Sequence, residues 1–147
     1  MTNDIYKIVY CSRNQIAGTP EEIKAGIQSI LNTSRINNAK ANVTGALLFN
    51  EGLFAQVLEG PVAAVETIFE KIQRDTRHSD VIVLQSGTFA ERDFPAWSMA
   101  FAARGANSAT TFGIPAFEAA KSNLSLAADQ VLALLHKVVV QEDWMMP

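Results

Sequence analysis

The chain has 147 residues, of which 48% are hydrophobic and 18% are charged, with a formal net charge of −3. This length predicts one domain with a short extension, rather than a sensor fused to a separate catalytic domain. The charged fraction lies below the roughly 25% of ordinary soluble proteins, and together with the apolar content it excludes a disordered chain. The surplus apolar surface is expected to be buried in a core, against a ligand or against another chain.

The sequence carries no membrane or targeting signal. No run approaches the roughly 18 apolar residues of a membrane span, and Met1–Asp4 lacks the basic start of a signal peptide. One cysteine, Cys11, cannot form an internal disulfide, which is typical of the reducing cytoplasm. A slightly acidic chain without a basic cluster does not fit nucleic acid binding, and its two histidines and one cysteine lack metal-ligand spacing. We therefore expect a cytoplasmic protein without metal, nucleic acid or membrane as a partner.

The predicted elements follow the order βαββαβ, with one added strand and a C-terminal helix. The expected strands are residues 5–11, 43–50, 53–58, 81–86 and a short fifth strand at 97–101. The first helix begins with a capping box at Thr19–Glu22 and is expected to end at 36–38, and the second helix follows Gly60-Pro61. This order predicts an α+β, ferredoxin-like fold in which both helices cover one face of a mixed sheet.

Apolar residues at helical spacing define the buried face of each helix. These residues are Ile23, Ile27, Ile30 and Leu31 in the first helix, Val62, Val65, Ile68, Phe69 and Ile72 in the second, and Leu124, Ala127, Ala128, Val131, Leu134, Leu135 and Val138 in the last. Residues 104–114 are small and polar, which indicates a linker. We therefore expect a domain at residues 1–104 and a linker with a helical extension at 105–147, whose helix caps the free face of the sheet. The apolar end at 144–147 leaves docking on a partner or a second copy open.

Polar residues interrupt this apolar pattern at three places. Both faces of the third strand are otherwise apolar, so Gln56 is expected to be buried whichever face it takes, and a buried carboxamide without partners costs about 1–3 kcal/mol. Gln56 therefore needs a hydrogen bond, either to backbone or to a side chain. Tyr10 in the first strand is a suitable partner, since a buried tyrosine hydroxyl also needs one, although an ordinary core position is the alternative. Asn37 and Asn38 are either a helix cap or, if they converge with Gln56, ligand contacts.

These polar positions coincide with the motifs of a known family. Residues 38–49 (NAKANVTGALLF) and 54–60 (FAQVLEG) resemble the core of BLUF domains, which are blue-light sensors using FAD. Tyr10 followed by Ser12, the segment Arg74–His78 and the Trp-Ser-Met run at 97–99 resemble further motifs of that family, in the same order. The resemblance covers residues 5–104, and the C-terminal segment resembles the helical caps of short, stand-alone members.

The resemblance implies a role for each matched residue. FAD would be held non-covalently between the two helices by Ile30, Asn37, Asn38, Gln56, Asp75, Arg77 and His78. Gln56 would bridge Tyr10 and the flavin, and a light-driven rearrangement of their hydrogen bonds would be sensed by Trp97 and Met99. The sequence does not choose which of these two lies next to the flavin. The chain is expected not to be an enzyme, to form a homo-oligomer and to signal to a partner protein of unknown identity.

Two other classes of function stay open. A flavin-dependent redox enzyme would need a substrate pocket and a second reaction partner, and the sequence contains no motif for either. A ferredoxin-like binding module without photochemistry would have no use for the pair Tyr10 and Gln56. Hydrolytic chemistry is not expected, because the sequence lacks a phosphate loop and a nucleophile–base motif.

Overall fold

The computed structural model describes residues 4–50, 52–96, 98–104 and 122–141. Over these ranges the strands are β1 (Ile5–Asn14), β2 (Thr44–Asn50), β3 (Leu53–Gly60), β4 (His78–Phe89) and β5 (Ala100–Arg104). The helices in the same ranges are α1 (Pro20–Lys40), α2 (Val62–Arg74) and α3 (Leu124–Gln141). None of these helices is long and apolar enough to cross a membrane.

The strands form one mixed sheet in the order β4-β1-β3-β2-β5. The first four strands of this order are antiparallel neighbours, and β5 joins the edge strand β2 in parallel. This is the ferredoxin-like α+β arrangement with an added strand, which confirms the predicted fold. Because β1 and β3 are the central pair, their register determines which polar residues meet in the middle of the sheet. Tyr10 lies directly opposite Gln56.

Each face of the sheet carries its own apolar core. Beneath α1 and α2, Leu31 and Phe69 of the helices pack on Phe54 and Leu58 of the sheet. On the opposite face, the side chains of α3 cover the sheet through Ala127, Ala128, Val131 and Leu135. The predicted cap on the second face is therefore present. It also accounts for the low content of charged residues, since both faces of the sheet are covered by helices.

The predicted helix faces are correct except at two helix starts. The capping box at Thr19 and Glu22 is present. However, Val62 and Leu124, each the first residue of its helix, are 51% and 42% exposed. The linker at 104–114, the apolar end at 144–147 and the side chain of Val138 lie outside what the structure describes.

Several predicted boundaries are wrong, and hydrogen bonding explains each difference. The helix α1 continues beyond 36–38 to Lys40 and is capped by Ala41. β4 is longer than 81–86 because its pairing with β1 extends to His78 at one end and Phe89 at the other. β5 begins at Ala100 rather than at 97, and Ser98 and Met99 lie in a bend before it.

A buried carboxylate fixes the loop that leads from β4 towards β5. Glu59 on β3 is fully buried, and its two oxygens accept the backbone N–H groups of Asp93 at 2.6 Å and Phe94 at 2.8 Å. The ammonium group of Lys7 lies 3.6 Å from Glu59 and also pairs with Asp93. Burial raises the pKa of Glu59, while these N–H groups and Lys7 act in the opposite direction.

Replacing Glu59 by glutamine should lower the free energy of unfolding by about 1–3 kcal/mol. The amide nitrogen of glutamine cannot accept, so one of the two backbone N–H groups would stay buried without an acceptor. Urea unfolding measures the effect. The matched control is Glu70→Gln on α2, where the side chain is 69% exposed and the expected change is below about 0.5 kcal/mol. Equal unfolding midpoints for the wild type and Glu59→Gln would contradict this account.

Candidate functional site

A cleft lies between α1 and α2, above the central strands β1 and β3. It consists of two adjoining cavities of about 50 and 180 Å³ that share six wall residues: Ile30, Ser34, Gln56, Ile72, Asp75 and Arg77. The smaller cavity is also lined by Tyr10, Leu47, Phe54 and His78. Apolar walls with a few converging polar groups are typical of a small-molecule site.

The cleft brings together residues that are far apart in the sequence. The seven residues predicted to contact a cofactor all line it, with Ile30, Gln56, Asp75 and Arg77 in both cavities, His78 in the smaller one, and Asn37 and Asn38 in the larger one. Ser34 and Ile72 line it as well, and the sequence analysis did not assign them to the site. Ser34 lies four residues after Ile30, so helical spacing alone was a sufficient signal for it.

A chain of hydrogen bonds begins in the wall of the cleft, at Tyr10 and Gln56, and ends at Met99. The hydroxyl of Tyr10 donates to Gln56 Oε1, and Gln56 Nε2 donates to Met99 Sδ over 3.4 Å. A thioether sulfur can only accept, so Met99 fixes the carboxamide with its nitrogen towards Met99 and its oxygen towards Tyr10. Tyr10 and Gln56 are 3% exposed and Met99 is 1% exposed. The chain is therefore shielded from water.

The surroundings of Tyr10 keep its hydroxyl protonated. Burial, followed by the nearby negative charge of Asp75, raises the pKa of Tyr10 well above its usual range. The ring packs against Phe69 with 5.4 Å between centroids, and the ring of His78 approaches it edge-on at 6.3 Å. Tyr10 is thus a neutral donor with an oxidisable ring in an apolar environment.

Asp75 and Arg77 form the charged end of the cleft. Asp75 follows α2 directly. Its carboxylate accepts from the Nε–H of Arg77, which is shared between both oxygens at 2.9 and 3.0 Å, from Arg77 Nη2 at 2.5 Å and from the Arg77 backbone N–H at 2.9 Å. These hydrogen bonds hold the pKa of Asp75 below its usual range and raise the pKa of Arg77. The guanidinium is 39% exposed, so it places a fixed positive charge at the mouth of the cleft.

His78 ties the end of α2 to β1. Its Nε2 donates to the backbone carbonyl of Ile72 at 2.6 Å, and its Nδ1 lies 2.8 Å from the hydroxyl of Ser12. A carbonyl can only accept, so Nε2 carries the proton, and in the neutral ring Nδ1 accepts from Ser12. Both ring nitrogens of His78 are therefore engaged by the protein itself.

The two asparagines of α1 are not the helix cap that one prediction assigned to them. Asn38 is 1% exposed, and its Nδ2 donates to the backbone carbonyl of Ser98 at 2.8 Å. A buried hydrogen bond to another segment overrides the tendency of asparagine to end a helix. The same nitrogen carries a second hydrogen, and Asn38 lines the larger cavity. Asn37 is exposed and lines the outer part of the larger cavity.

Trp97, one of the two predicted sensors, lies outside the described residues. Met99, the other sensor, lies outside β5, which corrects the predicted strand at 97–101 for this residue. Met99 lies in a bend directly before β5 and contacts Gln56. Arg35 of α1, which the sequence analysis did not assign, donates from Nε to the backbone carbonyl of Met99 at 3.0 Å.

The fold and the cleft together define a small-molecule-binding α+β domain with a buried tyrosine–glutamine pair facing the ligand site. The family model for BLUF, sensors of blue-light using FAD, matches residues 5–100, which is more than half of the chain. The chain therefore belongs to the BLUF family of flavin-binding blue-light photoreceptors.

Individual proteins and solved structures are also similar to this chain. Photoactivated adenylate cyclase subunit beta of Euglena longa is 39% identical over 74 residues, which are 50% of this chain and 9% of that relative. The dark-state structure of the BLUF protein BlrB is 29% identical, with a TM-score of 0.72 over 96% of this chain and 98% of that one. Klebsiella pneumoniae BlrP1, in a structure with FMN and cyclic diGMP, is 31% identical, with a TM-score of 0.60 over 67% of this chain and 26% of that one. The chain thus spans nearly all of BlrB but only a small part of the cyclase subunit.

Proposed function

We propose that the chain is a photoreceptor that binds FAD non-covalently and signals through a light-driven rearrangement of the hydrogen bonds of Tyr10 and Gln56. The observation that carries this proposal is the Tyr10–Gln56–Met99 chain of hydrogen bonds in the wall of the cleft. Membership of the BLUF family supports light as the input.

The donors and walls of the cleft suit a flavin. The aliphatic side chains of Ile30 and Ile72 offer flat apolar contact to an aromatic ring system. The carboxamides of Asn38 and Gln56 offer donors for its carbonyl groups, while Arg77 offers a positive charge at the mouth. Asn37, Asp75 and His78 complete the proposed set of contacts. The family description favours FAD, and FMN, found in the BlrP1 structure, is the alternative flavin.

The proposed mechanism depends on what Gln56 does when Tyr10 is oxidised. A bound flavin supplies a strong oxidant when it absorbs blue light. Loss of an electron to this oxidant would make the hydroxyl proton of Tyr10 strongly acidic, and Gln56 Oε1 would accept that proton through the existing hydrogen bond. When the electron and the proton have returned to Tyr10, the carboxamide of Gln56 is left with its donor and acceptor sides exchanged.

This exchange changes the contact between Gln56 and Met99. With oxygen in place of nitrogen on that side, Gln56 has no hydrogen to donate, and the thioether of Met99 has none to offer in return. The Gln56–Met99 hydrogen bond is then lost, and the segment that leads into β5 is free to rearrange. Two hydrogen-bonded arrangements with different packing form a two-state element on which a signal can act.

The proposed output is a contact with another protein. We propose residues 1–104 as the sensor and residues 105–147 as a linker with a helical extension, which contacts a signalling protein or a second copy of the chain. In this proposal the chain itself turns over no substrate. The cyclase named in the Euglena relative is a protein of which the matched stretch is 9%, so its activity is not assigned to this chain.

The absorption spectrum of the purified chain tests the proposal. We expect a yellow protein whose flavin, released by heat and identified by mass, is FAD. Blue illumination should shift its absorption to the red, and the shift should reverse in darkness without added substrate. A protein that takes up neither FAD nor FMN would contradict the proposal. Bleaching coupled to turnover of a substrate would support the flavin-dependent redox enzyme instead.

A further inference from the structure

We infer that Arg35 is a positioning residue of the photoreaction, which holds the backbone ahead of β5 so that Met99 stays against Gln56. This inference rests on the proposed function, because it concerns the lifetime of the light-induced arrangement. It adds to the site a residue that lines neither cavity of the cleft.

Two side chains of α1 bind consecutive carbonyl groups in front of β5. Arg35 Nε donates to the carbonyl of Met99 at 3.0 Å, and Asn38 Nδ2 donates to the carbonyl of Ser98 at 2.8 Å. Residues three apart on a helix lie on the same side, so Arg35 and Asn38 act together across one turn. Successive carbonyls of an extended strand point in opposite directions. Binding both from one helix therefore holds the segment in its bend.

The bend determines where the side chain of Met99 points. Pairing of β5 with β2 begins at Ala100, opposite Ala46, so Met99 lies just outside the paired strand. The side chain turns inward, is 1% exposed, and receives the hydrogen bond from Gln56. The position of the sulfur thus depends on the two contacts from α1.

Arg35 and Asn38 differ in their relation to the cleft. Asn38 lines the larger cavity, whereas Arg35 lines neither cavity. Asn38 therefore binds the bend and also faces the proposed ligand site, whereas the hydrogen bond of Arg35 is made to the bend. Burial lowers the pKa of Arg35, and the side chain remains a charged donor, which makes a stronger hydrogen bond than a neutral one.

The consequence concerns the stability of the two arrangements of Gln56. The Gln56–Met99 hydrogen bond exists in the arrangement of the structure and is lost in the proposed light-induced one. By keeping Met99 in place, Arg35 stabilises the arrangement in which Gln56 donates to Met99. It therefore speeds the return from the light-induced arrangement to that of the structure. Loss of Arg35 should slow dark recovery by roughly three- to tenfold, the effect of one ordinary hydrogen bond.

The variant Arg35→Gln tests the inference, with Arg35→Lys as the conservative variant and Lys24→Gln as the control. Lys24 is an exposed residue of the same helix, so its replacement removes the same charge without touching the bend. Arg35→Gln should bind flavin and show a red shift of wild-type size, but recover roughly three- to tenfold more slowly. Arg35→Lys should recover at an intermediate rate, and Lys24→Gln at the wild-type rate.

A second readout does not depend on light. With ¹³C-labelled methionine methyl groups, the Met99 signal of the dark protein, assigned through Met99→Leu, should move in Arg35→Gln and stay in Lys24→Gln. An unchanged Met99 signal, or recovery of Arg35→Gln at the wild-type rate, would overturn the inference while leaving the proposed function intact. Absence of a red shift in the wild type itself would instead overturn the proposed function.

Discussion

Replacing Tyr10 by phenylalanine should abolish the light-induced red shift while flavin stays bound. Phenylalanine keeps the ring contact with Phe69 but removes the hydroxyl that donates to Gln56. Without that proton, and with a ring that is much harder to oxidise, the exchange at Gln56 cannot begin. Absorption spectra before and after blue illumination measure the effect.

The matched control for this variant is Tyr6→Phe. Tyr6 is the other tyrosine of the chain, lies on the same strand four residues earlier and packs on the same core. It lines neither cavity of the cleft. Tyr6→Phe should therefore keep the full red shift. A red shift of wild-type size in Tyr10→Phe would contradict the role of Tyr10.

Replacing Gln56 by leucine should abolish the red shift and also destabilise the protein. Leucine fills a similar volume but cannot accept from Tyr10 or donate to Met99. The hydroxyl of Tyr10 would then be buried without an acceptor, which costs about 1–3 kcal/mol of unfolding free energy. Light–dark spectra and urea unfolding measure the two effects separately.

A double variant and a control sharpen this test. Tyr10→Phe combined with Gln56→Leu removes both partners, so it should be less destabilised than the sum of the single variants. The control is Gln85→Leu on β4, because Gln85 Oε1 is buried without a hydrogen-bond partner among the described residues. Gln85→Leu should keep the red shift and lose no stability. Additive losses in the double variant would contradict the Tyr10–Gln56 hydrogen bond.

The residue pattern predicted the burial of the pair but not its geometry. The apolar residues on both faces of β3 were enough to predict that Gln56 is buried, and the cost of an unpaired carboxamide was enough to require a partner. The meeting of Gln56 with Tyr10 depends on the pairing of β1 with β3 and on its register. These are properties of the whole sheet, which a period-two pattern within one strand does not contain. The role of the pair towards a flavin came only from the resemblance to BLUF domains.

The bend at Ser98 and Met99, and the role of Arg35 in it, could not be predicted from the sequence. An apolar run at 97–101 predicts a strand, because propensity within the run is all that a local pattern reports. In the structure, the carbonyls of Ser98 and Met99 are bound by side chains of α1, and the register with β2 begins only at Ala100. The residues that bind these carbonyls, Arg35 and Asn38, lie about sixty residues earlier in the chain. A local sequence pattern does not report such distant contacts, so it could not indicate the role of Arg35.

The most direct test of the account is the ¹⁵N NMR spectrum of the Gln56 side chain, recorded in the dark and under blue light on flavin-loaded protein. The central claim is that light exchanges the donor and acceptor sides of this carboxamide. We expect the Nε2 signal of Gln56, assigned through Gln56→Leu, to move on illumination and to return with the same time course as the absorption. A reversible red shift of the flavin with an unchanged Gln56 signal would contradict the account.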